Sequence, residues 1–251
     1  MIPPVYILLL SAAAFVQGTV GFAFALLSVP LLSLAVAPGA ATALGATLGT
    51  VVVITGVIMH REEIEWRGML ALTAAAIVFL PVGALFVARA PEGVVLSVLG
   101  LIALSVGIDS LLRLLRSSRT TAGPQSLGAP RPRLLGVVAA AVSGTLGGAF
   151  AIPGPPMVAY LYATTPDRRL AKANLQAFFI LTSVLTVVTQ AAVGNLTRDL
   201  LPFALIATLP VAVSTAVGVH VSRRLNLLSL RISTDLALIV LGLVLLIRAL
   251  A

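Results

Sequence analysis

The chain has 251 residues, 59% of them hydrophobic and 10% charged, with a mean hydropathy of +1.13. Those values exclude an ordinary soluble domain and point to an integral membrane protein. The formal charge of +8 comes from arginines and a lysine in short connections, as membrane insertion requires, so no nucleic-acid partner is implied; with no cysteine, disulfides, thiolate metal sites and cysteine nucleophiles are excluded.

Eight apolar stretches are predicted in chain order: 3–36, 40–59, 68–88, 93–112, 134–162, 170–192, 199–219 and 234–250. Each holds the roughly 20 residues needed to cross about 30 Å of hydrocarbon. The first has no basic residue before it and runs straight into further spans, so it is expected to be a retained structural element, not a cleaved signal. The first and the fifth are too long for one span, and both are interrupted by glycine and proline. Residues 113–133, RLLRSSRTTAGPQSLGAPRPR, read as a polar cytoplasmic linker between an N-terminal repeat, 1–112, and a C-terminal repeat, 134–251.

The two interrupted stretches carry one motif twice. GTVGFAFALLSVP, from Gly18 to Pro30, aligns without gaps on GTLGGAFAIPGPP, from Gly144 to Pro156. FLPVGALFVAR around Pro81 similarly matches TLPVAVSTAVG around Pro210. A tandem duplication is therefore expected.

Charge decides the topology. If every stretch crosses once, the basic residues divide nine inside to seven outside. If 3–36 and 134–162 each enter and return, they divide thirteen to three, as the positive-inside rule favours. Each half then makes an odd number of crossings. The expected fold is thus all-α and polytopic, with both termini outside and two inverted repeats, each a broken re-entrant segment plus three spanning helices.

Breaks at membrane depth require protein packing or a water-filled cavity, because free amides are costly in hydrocarbon. Half-helix N-termini suit an anion. The candidate donors are the amides near Gly18–Phe22 and Gly144–Phe150, with the Thr19 and Thr145 hydroxyls beside them. Pro153, Pro155 and Pro156 donate nothing and shape the turn. Gln17, Ser143, Asn174, Gln176 and Gln190 are polar groups in or beside apolar segments, and serve either the anion or helix–helix hydrogen bonds.

The eight acidic residues, Glu62, Glu63, Glu65, Glu92, Asp109, Asp167, Asp199 and Asp235, fall in loops or near predicted helix ends. A midplane without carboxylates argues against a cation carrier and fits an anionic substrate. Positive charge at depth is missing too, so dipoles and neutral donors would hold the substrate. His60 and His220 are expected at interfaces, Trp66 as an interfacial anchor, and Asp109 as the helix-surface partner of Arg113. No nucleophile elbow, Walker loop, metal-spaced histidine cluster or buried acid pair appears, so neither an enzyme nor a cofactor or metal site is expected.

With FVQGTVGFAFALLSVPLL, SGTLGGAFAIPGPPMVAYLY and RRLAKANLQAFF in view, the chain resembles the sulfite exporter TauE/SafE family, also called toluenesulfonate uptake permeases. The resemblance implies a duplicated multi-pass permease of the bacterial inner membrane for sulfite, sulfonates, sulfoacetate or other small organic anions. It places Gly18, Gly21, Pro30, Gly144, Gly147, Gly148, Gly154, Pro155 and Pro156 in the conserved motif positions of the site. Ala23 and Phe24 depart from the family's commoner, more glycine-rich form. The family is usually described with eight or so single crossings, against the re-entrant reading of the charges. The expected partners are the small anion, the lipid bilayer and a coupling ion, proton or sodium, with a homo-oligomer left open. The alternatives are a passive anion channel and a non-transporting membrane scaffold.

Overall fold

The computed structural model of the protein describes residues 2–60, 64–117, 133–165, 167–222 and 227–250. They form ten α-helices: α1 Val5–Val20, α2 Phe24–Leu32, α3 Pro38–His60, α4 Trp66–Arg89, α5 Glu92–Ser117, α6 Arg133–Phe150, α7 Gly154–Thr164, α8 Arg168–Ala192, α9 Leu201–Val221 and α10 Leu227–Leu250. Six of these, α3, α4, α5, α8, α9 and α10, are long and apolar enough to cross a bilayer. The first predicted stretch resolves into α1 plus α2 and the fifth into α6 plus α7. At 1.5 Å per residue, α2 and α7 are only about 13 and 16 Å long, too short to span.

Close glycine contacts give the helix directions. Gly93, Gly100 and Gly107, seven residues apart on α5, face Ala249, Gly242 and Asp235 of α10, so the two helices run antiparallel along a seam of small residues. Gly39 meets Asn195 and Gly56 meets Gln176, so α3 and α8 are antiparallel as well. Gly144 and Gly148, a small-xxx-small pair, lie on the backbone of Ala76 and Leu80, while Gly83 lies on that of Thr145 and Ala149; α4 and α6 therefore run parallel, backbone against backbone. Gly18 and Gly218 close α1 onto α9 in the same way.

Within the second half, α7 folds back along α6, since Pro153 lies by Gly147 and Tyr160 by Gly136. In the first half, the α1–α2 turn reaches the early part of α8, where Lys172 lies on Gly21, and the α2 exit lies at the opposite end, where Arg248 donates to the Ser33 carbonyl at 2.8 Å. Two helical hairpins thus enter the bundle from opposite ends. One end gathers the starts of α4, α8 and α10, the helices whose first turns follow or carry basic residues in the sequence.

Two boundaries differ from expectation. The last span begins at Leu227, not 234, because its polar residues are accommodated at the α5–α10 seam: exposed Arg231 reaches the Ser110 hydroxyl, and Asp235 is 4% exposed. Asp235 therefore lies two turns inside a spanning helix, not near an end. Helix α5 continues to Ser117, and the remainder of the expected linker, 118–132, lies outside the described residues, as do Glu62, Glu63 and the side chain of His60. Asp109 pairs with Arg113 at 2.7 Å as expected.

Candidate functional site between the two helix breaks

The first break is made by glycine. Gly21 adopts φ 95°, a left-handed conformation that closes α1 with its amide donating to the Gln17 carbonyl at 2.7 Å. Ala23 follows at φ 131°, a strained value for a residue with a Cβ, and α2 starts at Phe24. Gln17 bridges the interruption: its Oε1 accepts from the Phe24 amide at 2.9 Å and its Nε2 donates to the Gly21 carbonyl at 3.3 Å. The same carbonyl receives a second bond, from Gln176 Nε2 at 3.2 Å.

The second break is made by proline and comes one turn later in the aligned motif. Helix α6 runs through Gly147 and Gly148 to Phe150. Pro153, standing where the first copy has Leu27, cannot continue the helix and restricts the residue before it; Ala151 takes the left-handed turn at φ 55°. Two of the carbonyls that α6 leaves free are capped by side chains. Thr42 Oγ1 donates to Ala149 at 3.1 Å and Gln190 Nε2 donates to Gly148, while Asn195 Nδ2 in turn holds Gln190 Oε1 at 2.6 Å. The amides from Gly144 to Phe150 are therefore committed inside α6, contrary to the expectation that they face a ligand.

Between the breaks lies a cavity of about 50 Å³. Phe22 to Leu26 wall one side and Ala151 to Gly154 the other; Gln17, Gly49, Val52, Val53, Phe179 and Ser183 complete it. The contributing positions of α3 and α8 are near the middle of those helices, so the cavity is at mid-depth of the bundle. On the measure in which one water needs about 10–15 Å³, it holds roughly four waters or one small ion with little hydration.

Its polarity follows from which groups are spent. The carbonyl ends are quenched by Gln17, Gln176, Gln190 and Thr42. The amides of Ala25 and Leu26 in the first turn of α2, and of Gly154 opening α7, have no partner among the described residues, and these three residues line the cavity. Free donors at helix N-termini suit negative charge, although the Phe22, Ala151 and Ile152 carbonyls of the same lining have no partner among the described residues either.

The remaining expected residues divide by role. Gly18, Gly144 and Gly148 are packing glycines. Gly147 lies between Leu80 and Pro153, and Pro155 and Pro156 occupy the first turn of α7. Pro30 is buried inside α2, away from the cavity. The Thr19 and Thr145 hydroxyls donate to their own helices, at Val16 and Ala141. Ser143, aligned with Gln17, is fully buried with its Oγ unpartnered and does not reach the cavity. Asn174 instead clamps the segment before α4, accepting from the Glu65 amide at 2.9 Å.

Sequence reasoning missed Lys172. Its stem lies on Gly21, filling the space a side chain there would take, so a cation does reach the first break. The available signal was its singularity, since every other basic residue among the sixteen is arginine. Phe179, Ser183 and the α3 wall were also missed, being ordinary residues until folding faces them inward.

A family model described as sulfite exporter TauE/SafE matches residues 6–245. Neither a curated protein nor a solved structure matches the chain.

Proposed function

Since the chain belongs to the sulfite exporter TauE/SafE family and is therefore a membrane transporter, we propose that it is a secondary carrier for a small anion such as sulfite, an organosulfonate, sulfoacetate or a related organic acid. The observation that carries this reading is the mid-depth cavity between the two helix breaks, lined by Ala25, Leu26 and Gly154, whose amides at the starts of α2 and α7 have no partner among the described residues. Its volume suits sulfite or a short sulfonate better than an aromatic one.

Alternating access follows from the arrangement of the halves. The aligned motifs pair α1 with α6, α2 with α7, α3 with α8, α4 with α9 and α5 with α10; the α3–α8 and α5–α10 pairs meet antiparallel. That supports two inverted repeats, whose rocking about the cavity would expose it to each side in turn. The basic end is then cytoplasmic, and Arg89, Arg198 and Arg248 lie at the outer face of a bacterial inner membrane.

Purified protein in liposomes should move labelled sulfite or sulfoacetate and exchange it against internal anion. A Cβ at Gly154 would meet Phe179 at an ordinary 3.7 Å, so the cavity wall has room for the first carbon of a larger side chain. Gly154→Leu should lose transport, and thermal unfolding measured beside the parent separates that loss from misfolding. Unchanged transport would refute the site; currents far faster than carrier turnover, without exchange, would instead identify a channel.

A further inference from the structure

We propose that Lys172 is a substrate-binding residue, the cation that receives the anion on the basic side of the cavity. The inference rests on the carrier reading and names the charge that reading lacks.

Lys172 is the fifth residue of α8 and lies within the membrane-spanning stretch Leu170–Ala192. Its Cγ, Cδ and Cε all lie within 3.4 Å of the position a Gly21 Cβ would occupy. The stem is thus laid across the α1–α2 turn, adjacent to Phe22 and Ala23 in the cavity wall. Glycine at position 21 serves two ends: it permits the left-handed φ and leaves room for the lysine.

The surroundings do not neutralise this charge. Lys172 makes no ion pair among the described residues, and Glu65, the carboxylate held against α8, is engaged by Asn174. A cation inside a spanning stretch is costly unless it snorkels to the interface, and this stem lies on the α1–α2 turn. One turn along the same face, Gln176 supplies a separate observation: it is 3% exposed, its Nε2 serves Gly21, and its Oε1 is buried without a partner. The Lys172 stem and the Gln176 amide group therefore both lie at the turn, with Gln176 Oε1 against Gly56 of α3, and the ammonium supplies the donors for an oxyanion entering from the basic end. A compact ammonium on a flexible stem can accompany such an ion to the α2 amides, whereas a guanidinium would hold it in a fixed fork.

The test uses labelled sulfoacetate in proteoliposomes, with Lys172→Met, Lys172→Gln and Lys172→Arg, each checked for monodispersity. The neutral variants should raise the half-saturation concentration tenfold or more while changing the maximal rate less than twofold, and Lys172→Arg should return it to within about threefold of the parent. Because the chain has a single lysine, acetylation of the intact folded protein gives a test that does not depend on refolding a variant. Sulfoacetate should slow acetylation of Lys172, read by mass spectrometry of its peptide, and the acetylated carrier should show the raised half-saturation. Transport by the parent with unaltered half-saturation after neutralisation of Lys172 would overturn this role alone. Parent protein that neither carries nor binds any anion would bring down the carrier reading and this inference together.

Discussion

Gln17→Glu separates folding from binding at the site. The two side chains have the same shape, and the carboxylate keeps an acceptor for the Phe24 amide. It loses the donor to the Gly21 carbonyl, which retains its bond from Gln176, so the folding cost is that of one replaceable hydrogen bond, about 1 kcal/mol. The effect on an anion is much larger once the new carboxyl is ionised, because Gln17 lines the cavity, and a separation of about 5 Å between that charge and a bound ion is taken for the arithmetic. At an effective dielectric of about 20, two unit charges at that separation repel by about 3 kcal/mol, roughly two hundredfold in affinity. Thermal unfolding in detergent and half-saturation for sulfoacetate at neutral pH measure the two quantities separately. A stable Gln17→Glu carrier with sulfoacetate affinity within threefold of the parent from neutral up to alkaline pH, where a buried carboxyl ionises, would show that the anion does not occupy this cavity.

Three further outcomes follow from the local geometry. Ala23→Gly relieves the alanine held at φ 131° and should raise thermal stability by about 1 kcal/mol, read as an upward shift in Tm; an unchanged or lower Tm would show that the strain is not there. Gln190→Leu orphans the Gly148 carbonyl and the Asn195 amide together, and should destabilise by about 2 kcal/mol, seen as a lower detergent Tm. Gly148→Ala drives a methyl into the Leu80 carbonyl where α4 and α6 touch, and should cost about 1–3 kcal/mol or more, with loss of monodisperse protein in size-exclusion chromatography.

The membrane character, the interrupted stretches and the clustering of basic charge at one end were legible because each is a property of composition along the chain. The one-turn offset between the breaks was not: the aligned glycines suggested equal turns, but glycine makes the first and Pro153 the second, and only folding shows which breaker acts. Gln17 was identified, yet its part in capping α2 depends on the angle at which the chain reverses. Asn174 and Ser143 looked equivalent to it as polar residues in apolar surroundings; one clamps a connection and the other is buried at a helix seam. Lys172 was assigned to a basic loop by its neighbours Arg168 and Arg169, whereas α8 already turns it toward Gly21. Charge counts along a sequence register only proximity in the chain, and this site is assembled from α1, α2, α3, α7, α8 and the turns at the two breaks.

The glycine contacts cross between halves: α1 closes on α9 and α6 closes on α4. Each hairpin finds its bed in the opposite half, so neither half alone can complete its own tightest interface. Half-length chains would have to meet head to tail to cover these grooves, and a gene for one half would suffice only if its product inserted in both orientations. The covalent join between the halves makes that pairing one to one, with glycine closing one turn and proline the other.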